Sequence, residues 1–259
     1  MDDQMDDPLV PLRRIGVRAP KEALDALLTH AHHNRQSPMQ VLEQLAALEL
    51  REREVRNLAR RTKYATLGTF LPPDRFDWNH PRQIDRDLFE HLLQHPEHLR
   101  TGTNILLRGP SGVGKTTLAQ IFAFDALQKG HTVRFCTLAN ALADLLKQES
   151  LPAVERRLRR YTTPDLLVLD EIGYLPCDSR SADLLYNIIS RRHEKKSTIV
   201  TTNLPFKQWN TIFPGAACVV ALVDRFAQHC HVLDIDADSY RQRRPPSPTP
   251  PRTSPKTKP

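Results

Sequence analysis

Between the apolar run NILLR (104–108) and the stretch TTLAQIFAFDAL (116–127) the chain reads GPSGVGK. Gly109, Gly114, Lys115 and Thr116 fit the spacing G-x-x-x-x-G-K-[ST]. The flanks read as a strand before and a helix after, the context that this pattern requires. Few sequence features constrain a fold as tightly. The glycines let the backbone turn its N–H groups inward around phosphate oxygens. The start of the following helix adds partial positive charge. Gly109, Pro110, Ser111, Gly112, Val113, Gly114, Lys115, Thr116 and Thr117 are the expected phosphate-contacting residues. Lys115 would place a point charge near the β- and γ-phosphates of ATP, and the Thr116 hydroxyl would face Mg²⁺.

The loop needs a sheet to hang from, and the downstream sequence supplies one. TVRFC (132–136), DLLVLD (165–170), TIVTT (198–202) and HVLDID (231–236) read as further short strands, with helical patterns between them. Such alternation predicts a parallel sheet wrapped by helices. In an open parallel sheet the strand C-termini face the ligand crevice. Asp170 ends one buried strand there and suits a Mg²⁺ shell. Glu171 follows it and suits a base that orients and polarises water. Asn203 ends STIVTTN (197–203), where its amide could bridge the water and the γ-phosphate; a plain turn Asn before Leu204 and Pro205 fits the same residues.

An acid pair beside a phosphate loop favours attack by water, hence ATP hydrolysis. A small-molecule phosphotransferase would need an acceptor site and usually a lid, and no clear arginine-bearing lid segment is visible. Arg225 closes the apolar helical stretch AACVVALVDRF. A cation there is favourable with the helix dipole, and it also suits a finger reaching a neighbouring subunit's γ-phosphate. VERRLRRY (154–161) carries Arg156, Arg157, Arg159 and Arg160 on one helix, a positive face suited to phosphate backbones or simply to solvent. Phe76 and Trp78 lie upstream of the loop and suit either an adenine border or core packing.

The rest of the chain sets the organisation. Residues 20–63 read as helical, with Ser37, Pro38 and Gln40 opening a helix through a capping box. Val41, Leu45 and Leu48 form its apolar stripe. Pro72 and Pro73 mark a boundary, and RDLFEHLLQH (86–95) reads as a helix. The tail RRPPSPTPPRTSPKTKP has no acidic residue and cannot form a core. The expected division is a helical domain over 1–66 for a partner or self-association, a nucleotide-binding domain over 67–240 and a disordered basic tail over 241–259. A net charge of +7 favours an anionic partner, nucleic acid before a membrane surface. The four cysteines, Cys136, Cys177, Cys218 and Cys230, form no CxxC pair. Neither the trio His30, His32 and His33 nor the group His229, Cys230 and His231 has a second ligand pair at zinc-like spacing. The acidic start MDDQMDDP is unlike a secretory leader, and no apolar run is long enough to span a bilayer. The expected place is the cytoplasm.

In order along the chain, GPSGVGKTTLA, LLVLDEIGYLP, STIVTTNLPFKQW and LVDRFAQHCHVLDIDADSYRQR resemble the IstB-type transposition helper ATPases. These are AAA+ proteins related to the DnaC helicase loaders and the DnaA initiators. The similarity runs from about residue 10 to 244, and DEIGYLP and SYRQR are its most specific parts. It implies a P-loop AAA+ three-layer fold with a central five-stranded parallel sheet behind a small N-terminal helical domain. It implies ATP-dependent assembly of a homo-oligomer on duplex DNA and partnership with an IstA-type transposase, with no membrane involved. By motif, residues 109–116 become the Walker A loop, Asp170 and Glu171 the Walker B pair, Asn203 sensor 1 and Arg225 the finger. The arginine-rich helix falls where the initiator relatives carry an inserted DNA-contacting helix. The expected pattern lacks a helical lid after residue 240, so Arg241 or Arg243 could stand in only loosely for a lid-borne sensor. A DnaC-like helicase loader is the alternative within the same fold.

Overall fold

The computed structural model describes residues 9–69, 75–173 and 178–240. Pro72 and Pro73, the end of DEIGYLP, Cys177, Arg241, Arg243 and the Pro-rich tail lie outside the described residues, as does the acidic start.

A run of helices opens the chain: α1 (Val10–Arg14), α2 (Lys21–His33) and α3 (Pro38–Ala65). The capping box forms as expected. Ser37 Oγ accepts from the Gln40 N–H at 3.3 Å, and Gln40 Oε1 accepts from the Ser37 N–H at 2.8 Å. Leu45 and Leu48 of α3 pack on Leu9, Ala19 and Leu24, with Leu12 and Val17 alongside. Glu49 is buried beneath this cluster, where it accepts the N–H groups of Arg18 and Ala19 and pairs with Arg56 at 2.7 Å. Burial pushes its carboxyl up, but those donors outweigh burial and hold it below the ordinary range.

The C-terminal half of α3 belongs to a different core. Thr66 is left-handed (φ +57°), and its hydroxyl donates to the Phe135 carbonyl at 2.7 Å. Arg61 donates to Leu127 O at 3.1 Å, and Leu58 packs against the sheet-side cluster. One helix of 28 residues thus joins the small N-terminal cluster to the sheet layers.

The sheet layers follow: α4 (Arg86–Gln94), α5 (His98–Thr101), β1 (Asn104–Arg108), α6 (Lys115–Gln128), β2 (Val133–Thr137), α7 (Leu138–Leu146), α8 (Leu151–Thr162), β3 (Leu166–Ile172), α9 (Ser179–Arg192), β4 (Ser197–Thr202), α10 (Trp209–Ile212), α11 (Val219–Ala227) and β5 (Cys230–Asp234). The five strands form one parallel sheet in the order β2-β3-β4-β1-β5. The sheet is therefore as the alternation predicts.

Period-two alternation sorts the strand residues between two apolar layers. Ile105, Leu107, Val168 and Ile199 face the layer of α3, α4 and α6, while Leu106, Leu167, Leu169 and Val200 face that of α7, α8, α9 and α11. Both faces are covered, which is why these strands read as continuous apolar runs. Two strands end two residues away from the sequence reading. β3 continues past Asp170 to Ile172. β5 stops at Asp234, and Asp236 turns away to bridge antiparallel to Gln83. That bridge ties the stretch before α4 to the exit of β5, close to the loop that leaves β1.

Candidate active site

The loop between β1 and α6 is tightly confined. Gly112 and Gly114 have φ of +83° and +98°, a region open to glycine and strained for other residues. A Cβ on Gly109 would lie 2.2 Å from the Ile235 carbonyl, and one on Gly114 would lie 2.9 Å from the Phe76 ring. The segment after β5 lies along the loop, with the Tyr240 N–H donating to Gly112 O at 3.0 Å. The Lys115 ammonium is buried and donates to the carbonyls of Gly109 and Pro110 at 2.8 and 2.6 Å.

Thr116, first turn of α6, donates its hydroxyl to Asp170 at 3.0–3.1 Å. Asp170 is 4% exposed. A second hydroxyl, from Thr201 on β4, donates to the same carboxylate. The Glu171 N–H donates to that Thr201 oxygen at 2.9 Å. The backbone explains this grouping. Leu169 pairs with Val200 and Ile172 with Thr202, so β3 carries one extra residue and both acids oppose Thr201. Such a bulge re-aims a side chain that regular alternation would send to the other face. Glu171 takes φ +63° there, a conformation that costs a non-glycine residue about 1–3 kcal/mol. Glu171 is exposed and lines the same cleft as Lys115, Thr116, Thr117 and Thr201.

Ser111, Gly112, Val113 and Gly114 complete one wall of this cleft, and Arg75, Phe76, Asp77, His80 and Tyr240 form its outer rim. His80 and Tyr240 meet edge to face at 4.9 Å. Phe76 is thus at the cleft. Trp78 is not among its lining residues; it packs edge-on against Phe76 and Phe89 at 4.8 and 5.1 Å, with Arg86 over its ring. For Trp78 the structure favours core packing over a nucleotide border. Asn203 is exposed at the end of β4 and lines an adjoining hollow with Gly109, Pro110 and Ser111.

The remaining candidates lie apart. Arg225, on α11, bonds to Ser190 and sits 4.9 Å over the Tyr186 ring, both on α9. It is not among the residues lining the phosphate-loop cleft. On α8, Arg157 and Arg160 lie 3.4 and 3.7 Å from Asp144 of α7, which also accepts the Tyr161 hydroxyl at 2.6 Å. Arg156 and Arg159 stand exposed. Burial pushes the Cys136 and Cys230 thiols up to about 11 and about 12, which suits structural rather than reactive cysteines.

Sequence reasoning missed Thr201, His80 and Tyr240. The first acts through a cross-strand register that no local pattern encodes. The other two are assembled from segments 160 residues apart in sequence.

The donor set tests which groups the site suits. A hydroxyl and a carboxylate that already share a proton are hard oxygen donors, and Mg²⁺ takes one or two such ligands beside substrate phosphates. No cluster of three or more His, Cys, Asp or Glu able to hold a metal occurs among the described residues. The arrangement at Thr116 and Asp170 fits a cation shared with a bound phosphate. No helix among the described residues is long and apolar enough to cross a membrane.

Comparison with known proteins agrees with this geometry. Residues 12–246 match the family model described as IstB-like ATP binding protein. A protein of Pseudomonas aeruginosa named for ATP binding in insertion sequence IS21 is 34% identical over 215 residues, 78% of this chain and 81% of that one. Its counterpart in insertion sequence IS232 of Bacillus thuringiensis is 34% identical over 209 residues, 81% of this chain and 83% of that one. Among solved structures, DnaI aligns with TM-score 0.53 at 18% identity, covering 67% of this chain and 90% of its own. DnaA of Aquifex aeolicus bound to AMPPCP aligns with TM-score 0.51 at 22% identity, covering 67% and 54%. These two likenesses concern the fold, which is the P-loop AAA+ fold that the sequence resemblance implies. With its phosphate loop, its acid pair and a match that spans nearly the whole described length, the chain belongs to the IstB-like ATP-binding proteins of insertion sequences.

Proposed function

We propose that this protein hydrolyses ATP, with Mg²⁺, as a switch that controls its assembly as a homo-oligomer on duplex DNA and its action on an IstA-type transposase. The observation that carries the reading is the meeting of four groups at one loop: Lys115, Thr116, Asp170 and Glu171. Lys115 would leave the Gly109 and Pro110 carbonyls for the β- and γ-phosphates. Thr116 and Asp170 would hold Mg²⁺, which neutralises charge on the phosphate oxygens. Glu171 would take a hydrogen bond from water and aim it at the γ-phosphorus, and Asn203 would hold that water from the loop's other side. Loss of the γ-phosphate then removes a contact between copies, so assembly and nucleotide state are linked.

The finer assignments follow the same logic. Arg225 would leave Ser190 and Tyr186 to reach a neighbour's γ-phosphate. Arg156, Arg157, Arg159 and Arg160 would face DNA. Residues 1–66 would serve partner or self-association, and 67–240 the nucleotide. The insertion-sequence context of the relatives supports a transposase as the partner.

The test is a pair of substitutions in the full chain. Lys115→Ala removes the charge on the phosphates and should abolish nucleotide binding. Glu171→Gln keeps the shape but cannot accept a proton; hydrolysis should fall at least about 100-fold while ATP and DNA binding persist, so that the DNA-bound assembly accumulates. An E171Q protein that leaves DNA as fast as wild type with ATP present would refute the switch.

A further inference from the structure

Thr201 is 1% exposed and sits in β4 opposite Leu107, two residues before the phosphate loop begins. Its hydroxyl has a single proton. The Glu171 amide is a donor and must find an acceptor, so the hydroxyl takes that bond with its oxygen and gives its own proton to Asp170. The direction of both bonds is thereby fixed. One side chain holds the carboxylate of Asp170 and, through the backbone, the left-handed turn that points Glu171 into the cleft. Because β4 pairs with β1 on its other side, the same residue keeps both acids in register with Lys115 and Thr116.

We propose that Thr201 is the positioning residue of this site, setting Asp170 for the cation and Glu171 for the water; this rests on the ATP-hydrolysis reading above. Without the hydroxyl the Glu171 N–H loses its buried acceptor. The bulge loses the bond that offsets its strained φ, and Glu171 relaxes away from the cleft. Misplacement of a reacting group by about 1 Å is enough to cost roughly 100-fold in rate.

The experiment compares full-length wild type with Thr201→Val, Thr201→Ala and Thr201→Ser. Valine keeps the β-branched shape that suits the strand and loses the hydroxyl. Alanine removes the hydroxyl without placing a methyl against the acids. Serine keeps the hydroxyl. Three readouts are taken: kcat and KM for ATP with saturating duplex DNA, affinity for a fluorescent ATP analogue with and without Mg²⁺, and thermal unfolding.

In T201V and T201A, kcat should fall about 10- to 100-fold, and KM should rise only by the factor by which the Mg²⁺-dependent affinity falls. The gain in analogue affinity that Mg²⁺ brings should shrink, and Mg²⁺-free affinity should hold. T201S should recover most of both. The proposal is overturned if T201V and T201A keep the wild-type kcat and Mg²⁺-dependent gain. It is also overturned if T201S falls as far as they do, or if Mg²⁺-free affinity and melting temperature collapse in step with the rate. Should wild type itself hydrolyse no ATP, the hydrolysis reading fails. The Mg²⁺-dependent gain then still decides Thr201: an undiminished gain in T201V and T201A refutes its role and a reduced one restored by serine supports it.

Discussion

Gly112 illustrates how far a single residue can constrain the site. Its φ is +83°, and an added Cβ would come within 2.2 Å of the Ser239 hydroxyl and 3.0 Å of its Cβ. Gly130 has a similar φ of +93°, yet a Cβ there would meet nothing within 4 Å. The pair separates backbone strain from crowding. Gly130→Ala should cost about 1 kcal/mol of stability and leave nucleotide affinity alone. Gly112→Ala should carry the same strain and also push the Tyr240 segment off the loop, weakening ATP-analogue binding about 10-fold, a loss of about 1.4 kcal/mol. Titrating both variants with the analogue and melting them in denaturant checks the contrast. Legibility at this scale follows locality. Lys115, Thr116 and Asp170 could be read because their chemistry sits in short motifs next to strand ends. Glu171 was readable as an acid but not as a left-handed residue, since its conformation depends on a bulge against β4. Phe76 and Trp78 looked equivalent in sequence, two residues apart. Only the packing of Trp78 on Phe89 separates them.

Strand positions are legible because buried parallel strands read as largely apolar runs, and all five lie within two residues of the expected bounds at each end. β5 ends two residues early, where Asp236 bridges to Gln83 instead of continuing the ladder. α8 shows what helix periodicity leaves out. Four arginines promised an even basic face, but their surroundings divide them. Leu158 and Tyr161 anchor the helix in the apolar layer. Asp144 of the preceding helix partly neutralises Arg157 and Arg160. Glu155, held below its ordinary range mainly by Arg191, ties the far side to α9. Arg192 lay further still from any pattern. It is 1% exposed and donates to carbonyls of Tyr161, Pro164, Asp165 and Ser197, so it joins the stretch 161–165 to the start of β4. If α8 contacts DNA as proposed, exposed Arg156 and Arg159 carry the contact more than Arg157. Replacing both by Ala should lower the slope of log affinity against log salt by about 2, while Arg157→Ala should change it less and loosen α7 from α8. Duplex binding measured across a salt series distinguishes the two.

At the scale of the molecule, the two apolar layers and the cluster around Glu49 set the stability, and their titratable groups set its pH range. His98, at the start of α5, is 6% exposed and lies edge-on to Phe122 at 6.3 Å. Burial, with the nearby positive charges of His231, Lys129 and His131, pushes its imidazole down to about 4, and a bond to the His95 backbone only partly opposes this. The unfolded chain would protonate His98 near 6.5, so the unfolded state takes up the proton first as pH falls. The stability linked to His98 is therefore complete above pH 6.5 and is lost progressively between 6.5 and 4. Asp165 acts lower. Burial raises its carboxyl, but bonds from Thr132 and Lys196 outweigh that and bring it down to about 2. Its contribution is complete above 3.8 and is lost as pH falls toward 2. The two windows scarcely overlap, which makes the histidine separable. Between pH 7 and 4.5 the wild type should lose about 2–3 kcal/mol through His98, and in His98→Gln that portion of the loss should vanish. Chemical denaturation of both proteins at the two pH values gives the comparison directly. An equal loss in the variant would mean that other groups carry the acid sensitivity, and that His98 meets protons as readily in the folded chain as in the unfolded one.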